Sequence, residues 1–351
     1  MTDVFIVGGG PAGLAAAIAA RAKGFSVVVS DSGHSPIDKA CGEGLMPDSL
    51  EALAALGVNL DGVAQSHPFR GIRFLGANSQ VAATFPTGEG IGLRRTVLHE
   101  ILVARAKAVG VELRWDNTVD DLHSVQARWI IGADGQKSRV RQWAGLEAAH
   151  RESKRYGFSR HFRIAPWADR VEVYWAQGCQ MYVTPVAPDE VCVALMSRDP
   201  HLRHDGASAK FPQLMARLGD SDQTTPERGA VSATRKLKRV VNGNVALLGD
   251  ASGSVDAITG EGLCLAFRQA SQLAEALELG DLERYQKWHR IMMRRPALMA
   301  DFMLLMDRLP AVREPALKVL EMQPGIFARL LQVHVLGGDF CIDRFMPALL
   351  R

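Results

Sequence analysis

A glycine-rich turn between a strand and a helix constrains the fold of this chain more than any other feature. The stretch Gly8–Gly13 reads GGGPAG and has glycine at all three positions of the pattern G-x-G-x-x-G. An apolar run, Val4–Val7, precedes it, and an alanine-rich stretch of helical periodicity follows. Such glycines allow a tight turn, close approach of a pyrophosphate and close packing of helix on strand. The motif predicts a dinucleotide site contacted by Gly8, Gly10, Ala12 and Gly13.

An acidic residue supports this prediction. Asp31 ends a second predicted strand, Ser26–Ser30, and lies 18 residues beyond Gly13. A carboxylate at that place can accept hydrogen bonds from both hydroxyls of a ribose. The alternative is a glycine-rich turn in an unrelated α/β protein, which would not require an acidic residue there.

Composition excludes several classes of function. The chain has 41 Lys and Arg against 38 Asp and Glu, a net charge of +3, which favours neither nucleic acid nor an acidic partner. Its five cysteines show no CxxC pair, which opposes a zinc site or a disulfide framework. No apolar run is long enough to span a membrane. The first strand begins so close to Met1 that no signal peptide is expected, and the predicted location is cytoplasmic.

Further motifs occur in a characteristic order. Ile130–Gly135 has the sequence IIGADG, and Asn244–Ala251 has the sequence NVALLGDA. Between the glycine turn and these two, Arg95 begins a pattern R-x-x-L-x-x-x-L. Together these motifs resemble the flavoprotein hydroxylase and geranylgeranyl reductase superfamily, which shares the p-hydroxybenzoate hydroxylase fold. The resemblance covers about residues 1–290 and implies that FAD is the cofactor.

The resemblance also implies roles for individual residues. Asp250 would hold the ribityl chain of FAD, and the Asp134 segment would support the pyrophosphate. A loop at Thr259–Gly262 would bring backbone N–H groups near flavin N1 and O2, where they stabilise the reduced ring. The remaining residues expected to bind the cofactor are Lys39, Cys41, Arg95, Gly249, Gly260 and Gly262.

A second cluster, Asp38–Leu45, bears on the type of reaction. Geranylgeranyl-type reductases carry a similar Cys-Gly-x-Gly-Leu with the cysteine beside the flavin, a place where a thiol can relay a proton. The alternative is that Cys41 only packs in a tight loop. The aromatic substrate strip of those reductases is altered here, because Tyr182 and Thr184 replace two of its larger aromatic residues. We expect Cys41, Tyr182 and Glu261 to act in catalysis.

The predicted fold class is α/β with three parts. A Rossmann-like FAD-binding domain of the p-hydroxybenzoate hydroxylase type comprises residues 1–67, 91–150 and 240–280. An inserted antiparallel-sheet substrate domain comprises residues 68–90 and 151–239. Helices form residues 281–351. Their methionine-rich stretch, Met292–Met306, is expected to pack in the core, and the alternatives are an apolar substrate mouth and a subunit or membrane contact.

The function predicted from the sequence is FAD-dependent oxidoreduction of an apolar organic substrate, with NAD(P)H as a transient reductant. Hydride transfer to an activated C=C bond is the main hypothesis. The alternatives are NAD(P)H- and oxygen-dependent hydroxylation of an aromatic or polyketide-like substrate, and a non-catalytic FAD-binding protein. The C-terminal helices are a candidate contact for a membrane surface or a second subunit.

Overall fold

The computed structural model describes residues 2–147 and 150–336. The strands in these ranges are β1 (Thr2–Val7), β2 (Val27–Ser30), β3 (Gly44–Leu45), β4 (Ser66–Phe69), β5 (Gly71–Leu75), β6 (Gln80–Thr84), β7 (Gly90–Leu93), β8 (Glu112–Arg114), β9 (Ala127–Gly132), β10 (His150–Arg163), β11 (Val171–Ala176), β12 (Cys179–Ala187), β13 (Glu190–Ser197), β14 (Arg228–Lys236), β15 (Val241–Asn242) and β16 (Val245–Leu247).

The α-helices in the same ranges are α1 (Pro11–Ala22), α2 (Pro47–Ala55), α3 (Arg95–Ala108), α4 (Arg139–Trp143), α5 (His204–Ala207), α6 (Pro212–Leu218), α7 (Gly262–Glu278), α8 (Leu282–Met292), α9 (Arg294–Arg308), α10 (Pro310–Met322) and α11 (Pro324–Leu336). Two short 3₁₀ turns, Gly249–Ser252 and Ala257–Thr259, lie between β16 and α7.

A six-stranded sheet forms the nucleotide-binding lobe. Its strand order is β15-β16-β9-β1-β2-β8, and every pair except β15–β16 is parallel. Most residues of the inner strands β1, β2, β9 and β16 are buried, as is usual in parallel sheets. On one face α1 packs against α7 and α3. The alanines of α1 allow this close approach, and most of that helix is buried. This is the Rossmann-like unit predicted from the sequence.

A seven-stranded sheet forms the second lobe, in the order β14-β10-β13-β12-β11-β5-β6. Neighbouring strands are antiparallel, as predicted, except for the parallel pair β11–β5. Alternation along β12 divides its side chains between two environments. Met181 and Val183 join a buried core beneath α5 and α6, whereas Tyr182 and Thr184 face the other side of the sheet.

The two lobes are joined by a small sheet and by the C-terminal helices. The small sheet has the order β3-β7-β4 and is antiparallel. Helices α9, α10 and α11 pack near the open face of the seven-stranded sheet, and their side chains form one core with β5, β6 and β11. No helix in the described ranges has both the length and the apolar character needed to cross a membrane. The residue limits predicted for the domains stay predictions.

Candidate active site

One continuous cavity of about 1710 Å³ lies between the lobes. Its wall contains the glycine turn after β1, the loop that precedes β3, the loop between β16 and α7, and the open face of the seven-stranded sheet. The same cavity therefore passes from the predicted nucleotide site to a region lined by the C-terminal helices.

The three motif glycines have different structural roles. Gly8 has a left-handed φ of 111°, and a Cβ there would overlap the carbonyl oxygen of Ala133. A Cβ on Gly13 would overlap the carbonyl oxygen of Gly8. A Cβ on Gly10 would meet no atom within 4 Å, because this glycine faces the cavity. Gly8 and Gly13 are thus required by the turn itself, whereas Gly10 keeps space open for a ligand.

Asp31 lies at the mouth of the glycine turn, where the sequence placed it. The Gly9 N–H donates to its Oδ2 at 2.6 Å, and the Gly33 N–H donates to its Oδ1 at 2.8 Å. Each carboxylate oxygen has a second lone pair for another donor. Two backbone bonds thus orient Asp31 toward the cavity and leave capacity for the two hydroxyls of a ribose.

His99 supports the same turn and was not predicted from the sequence. It is fully buried on α3, and its Nε2 lies 2.9 Å from the carbonyl oxygen of Gly9. Burial lowers the pKa of this imidazole, so it is neutral at pH 7 and can donate one N–H to Gly9. The available signal was a histidine inside the R-x-x-L-x-x-x-L pattern, but the pattern does not specify that position.

The two carboxylate oxygens of Asp134 have different surroundings. Its Oδ2 accepts the N–H groups of Arg139 (2.7 Å) and Val140 (3.1 Å) at the start of α4. Its Oδ1 is buried and has no hydrogen-bond partner in the described structure, while the residue lines the cavity. An orphaned carboxylate oxygen is costly unless a ligand or water donates to it. This matches the expected role of Asp134 beside a cofactor.

Asp250, Arg95 and Lys39 form a charged group on the same wall. Asp250 is open to the cavity but surrounded by protein, and the resulting desolvation raises the pKa of its carboxyl. The positive charges of Arg95 and Lys39 oppose that rise. Arg95 Nε is buried and has no partner in the described structure. These groups have hydrogen-bonding capacity that the protein itself does not use.

The loop between β16 and α7 is shaped by glycines and a capping aspartate. Gly249 (φ 58°) donates its N–H to Gln269 Oε1 at 2.7 Å, and Gly260 has a φ of 71°. Asp256 Oδ1 accepts the Ile258 N–H at 3.0 Å and fixes the turn before Gly260. Helix α7 then begins at Gly262 without a side-chain cap. Uncapped N–H groups at this 17-residue helix can stabilise a negative charge.

These features fit FAD. The space at Gly10, the free oxygen of Asp134 and the uncapped start of α1 suit a pyrophosphate, because helix N-termini attract phosphate. Asp31 suits a ribose, and Asp250 suits the hydroxyls of a ribityl chain. The start of α7 suits the electron-rich edge of a reduced flavin.

Cys41 lines the cavity in the loop that leads to β3. Its side chain is half-buried, and the Glu43 N–H points at its Sγ from 3.4 Å. The Cys192 thiol donates to the Cys41 carbonyl oxygen at 3.6 Å. The cysteine is therefore held on the cavity wall; its place beside the flavin and its catalytic role stay predictions.

Glu43 and His161 form a buried pair behind this loop that sequence reasoning missed. Glu43 Oε2 lies 2.6 Å from His161 Nε2, and Glu43 Oε1 accepts the Arg95 N–H at 2.8 Å. His161 Nδ1 lies 2.8 Å from Thr225 Oγ1. The two partners are separated by 118 residues, so no local pattern could have joined them.

Tyr182 and Glu261, the other predicted catalytic residues, differ in position. Tyr182 lines the cavity and donates its hydroxyl to the Ile258 carbonyl oxygen at 3.3 Å. Burial raises the pKa of this phenol, so it remains protonated. Glu261 is buried behind the α7 loop, where its Oε1 accepts from Arg295 Nη2 at 3.2 Å and its Oε2 lies 3.6 Å from His334 Nδ1. Glu261 is not part of the cavity wall, so in this geometry it does not reach a substrate.

The far end of the cavity is apolar. The small sheet contributes Phe69, and the seven-stranded sheet contributes Ile72, Phe74, Val171 and Val173. The C-terminal helices contribute Met299, Phe302, Met303, Met306, Leu320, Phe327, Leu330 and Leu331. The methionine-rich stretch was expected to pack in the core. Its residues Met299, Met303 and Met306 are buried as expected, but they also line the cavity.

Comparison with known proteins finds both reductases and a monooxygenase. Menaquinone reductase of Mycolicibacterium smegmatis is 28% identical over 81% of this chain and 78% of its own. Digeranylgeranylglycerophospholipid reductase 1 of Methanopyrus kandleri is 29% identical over 82% of this chain and 85% of its own. Aurachin C monooxygenase/isomerase of Stigmatella aurantiaca is 24% identical over 81% and 84%. Reductases and oxygenases both occur among the relatives.

A solved structure confirms the fold class, and a family match gives the cofactor. A triple mutant of the flavin-dependent brominase Bmp2 superposes with a TM-score of 0.82, at 18% identity, over 100% of this chain and 99% of its own. At that identity the likeness concerns the fold alone. The family described as "FAD binding domain" matches residues 1–280. With most of its length covered by that match and a cavity built for the cofactor, this chain belongs to the FAD-binding domain family and is an FAD-dependent oxidoreductase.

Proposed function

We propose that this enzyme reduces an activated C=C bond in a long apolar substrate. The observation that carries the proposal is the continuity of one cavity, which begins at the nucleotide-binding turn and ends among side chains of β5, β11, α9 and α11. An extended hydrocarbon is the chemistry that such a wall can desolvate. The related menaquinone and digeranylgeranylglycerophospholipid reductases support this substrate class by their names.

The residues of the chain divide the work. FAD, reduced by NAD(P)H or by a partner reductase, supplies hydride when it is bound. Gly10 and Asp31 bind the nucleotide half, and Asp250 orients the ribityl half. The apolar lobe binds the substrate and excludes water from the reacting end. Cys41, on the wall between these regions, is positioned to give the proton that completes the reduction.

Cys41 suits that role better than the other candidates. Tyr182 is also protonated and lines the cavity, but its hydroxyl already donates to Ile258. Glu261 is in an ion pair with Arg295 outside the cavity. Of the three residues predicted to be catalytic, Cys41 remains. It lines the cavity, and within the described residues its thiol hydrogen is donated to no protein acceptor.

The test is a product analysis under two atmospheres. The FAD-loaded enzyme is reduced anaerobically with dithionite and mixed with geranylgeraniol, geranylgeranyl glycerol ether or menaquinone, and the products are analysed by mass spectrometry. A product that has gained two hydrogens at a carbon–carbon double bond of the isoprenoid chain, rather than at quinone oxygens, supports the proposal. A product formed only with oxygen and labelled by ¹⁸O₂ would contradict it.

Oxygen-dependent hydroxylation is the second candidate. It is favoured by the monooxygenase among the relatives and by the altered substrate strip, in which Tyr182 and Thr184 replace larger aromatic residues. The same ¹⁸O₂ experiment, repeated with an alkyl quinolone, would identify this activity.

The surroundings of the enzyme are also proposed. We place it in the cytoplasm, with the C-terminal helices against a membrane surface or a second subunit. Large apolar side chains on or beside α8, α9 and α10 are exposed and support such a contact: Ile291, Leu305, Leu309 and Met322. Sedimentation with liposomes and measurement of the oligomeric state would separate the two.

A further inference from the structure

We propose that Glu43 and His161 form a proton store that gains a proton when the flavin is reduced. The pair lies behind the Cys41 loop, and Glu43 itself lines the cavity. Both side chains are buried, with side-chain exposures of 4% and 7%. Their 2.6 Å separation allows a proton to pass directly between Oε2 and Nε2.

The pair is built to exist in two protonation states. When His161 is neutral, its Nε2–H donates to Glu43 and its Nδ1 accepts the Thr225 hydroxyl at 2.8 Å. When His161 is charged, Nδ1–H donates to the same oxygen, because a threonine hydroxyl both donates and accepts. Neither state leaves a ring nitrogen unpaired. Thr225 is half-buried, so this hydroxyl connects the ring toward the protein surface.

Glu43 has its carboxylate at the start of a helix. Its Oε1 accepts the N–H of Arg95, the first residue of α3, where the helix dipole favours negative charge. Its backbone is left-handed (φ 57°), a conformation that residues other than glycine rarely adopt. Gly42 and Gly44 flank it, yet the residue with the left-handed backbone is a glutamate, although glycine would be unstrained there. The hydrogen bonds of its carboxylate account for a glutamate at this position.

The neighbouring charged groups leave the pair free to take up one proton. Burial raises the pKa of the Cys192 thiol on β13 well above its usual value, so this neighbour stays neutral. Arg94 is paired with Glu190 at 3.4 Å, so these two largely cancel. An added negative charge in the cavity, as on a reduced flavin, then raises the proton affinity of His161 by Coulomb attraction.

The proton balance is closed. Two electrons from a nicotinamide donor, or from dithionite, enter the cavity together with the proton that the flavin binds, and one further proton from solvent enters the pair through Thr225. When hydride then goes to one carbon of the substrate, the stored proton goes to the other carbon through Glu43 and the Cys41 thiol, two residues that line the same cavity. This delivery rests on the proposed reductase function, whereas the uptake does not.

The test measures uptake without any substrate. The midpoint potential of bound FAD is determined anaerobically with reference dyes across the range in which histidine titrates, for wild type, His161→Gln and Glu43→Gln. Glutamine keeps the hydrogen bonds of either residue but cannot store the proton. The slope of the midpoint potential against pH gives the number of protons taken up with the two electrons. In both variants this number should be lower than in wild type by up to one. Cys192→Ser, a buried neighbour on β13, should keep the wild-type slope.

A second pair of variants keeps the test decisive if Glu43→Gln fails to bind FAD. Thr225→Val removes the hydroxyl that must accept the Nδ1–H of His161, whereas Thr225→Ser retains that hydroxyl. Both variants change a residue away from the proposed cofactor site. Thr225→Val should lose the extra proton, and Thr225→Ser should restore it. Identical slopes in wild type, His161→Gln and Thr225→Val would overturn the proposal, whatever substrate the enzyme is later found to use.

Discussion

Gly10 offers a perturbation that separates cofactor binding from folding. Its φ of −69° and ψ of 176° are accessible to any residue, and a Cβ there meets no protein atom within 4 Å. Replacing Gly10 by valine therefore puts atoms only into the cavity. The same replacement at Gly13 would force a side chain into the Gly8 carbonyl oxygen and damage the fold.

The expected magnitude follows from the groups that the new side chain would block. The first-turn N–H groups of α1 have no side-chain cap and can donate to a phosphate. Hydrogen bonds to charged groups contribute about 1.5–3 kcal/mol each, so losing two costs about 3–6 kcal/mol. At 1.4 kcal/mol per tenfold change, the dissociation constant for FAD should rise by roughly 10²- to 10⁴-fold. The stability of the apoprotein should change by less than about 1 kcal/mol, the range for a poor helix N-cap.

The assay has two parts. Flavin absorbance after desalting and calorimetric titration of apoprotein with FAD measure binding, and thermal unfolding of apoprotein measures the fold. Gly10→Val should lose FAD but unfold like wild-type apoprotein, whereas Gly13→Val should fail in both. A Gly10→Val protein that keeps a full complement of FAD with wild-type affinity would refute the placement of the pyrophosphate beside this residue.

Further predictions concern binding, catalysis and stability. Asp31→Ala should weaken FAD binding by about 1–3 kcal/mol through loss of charge-assisted hydrogen bonds to ribose, measured by calorimetry; unchanged affinity would show a different ribose site. Cys41→Ser should keep FAD but slow substrate reduction by roughly 10- to 10,000-fold, measured by stopped flow; wild-type turnover would exclude the thiol as proton donor. Arg155→Leu should cost about 3–5 kcal/mol in chemical denaturation because it strips the partner from the fully buried Asp256, 3.2 Å away; the double change to leucine should recover part of this. Burial lowers the pKa of His289 to about 4. Its contribution to the free energy of unfolding is therefore complete above pH 6.5 and lost as the pH falls toward 4, by about 3 kcal/mol, and His289→Gln should flatten that dependence.

The nucleotide half of the site was predictable because its residues are tied to local patterns. Gly8–Gly13 must follow a strand and open a helix, and Asp31 must end the next parallel strand, so sequence order alone places them together. Asp134 follows β9, which pairs with β1, and Asp250 follows β16, the next strand beyond β9 in the same sheet. Carboxyl ends of parallel strands meet at one edge, which is why these distant segments could be assigned to one cofactor.

The substrate half was less predictable because its contacts depend on register between distant strands. Glu43 directly precedes β3 and His161 lies on β10, and these two strands belong to different sheets. The two side chains meet only because the fold brings those sheets together. Glu261 was expected at the reaction centre from its place in a glycine loop. In the structure the Glu261 side chain points toward Arg295 instead. The motif specifies the left-handed Gly260 beside it but not the direction of this side chain, so the sequence could not predict it.

The methionine-rich helix shows a limit of a different kind. A side chain that packs against protein and a side chain that lines a substrate cavity are both apolar and both follow helical spacing, so periodicity cannot distinguish them. The two cases differ only in whether the opposite sheet contacts the side chain or leaves a space beside it. The face of β12 that carries Tyr182 and Thr184 lines the cavity, and the helices α9 and α11 face that space. Methionine is flexible enough to close around hydrocarbons of different shape. Under the proposed reductase function, α9 and α11 form the part of the cavity that limits the length of the substrate, and no sequence motif marks this region.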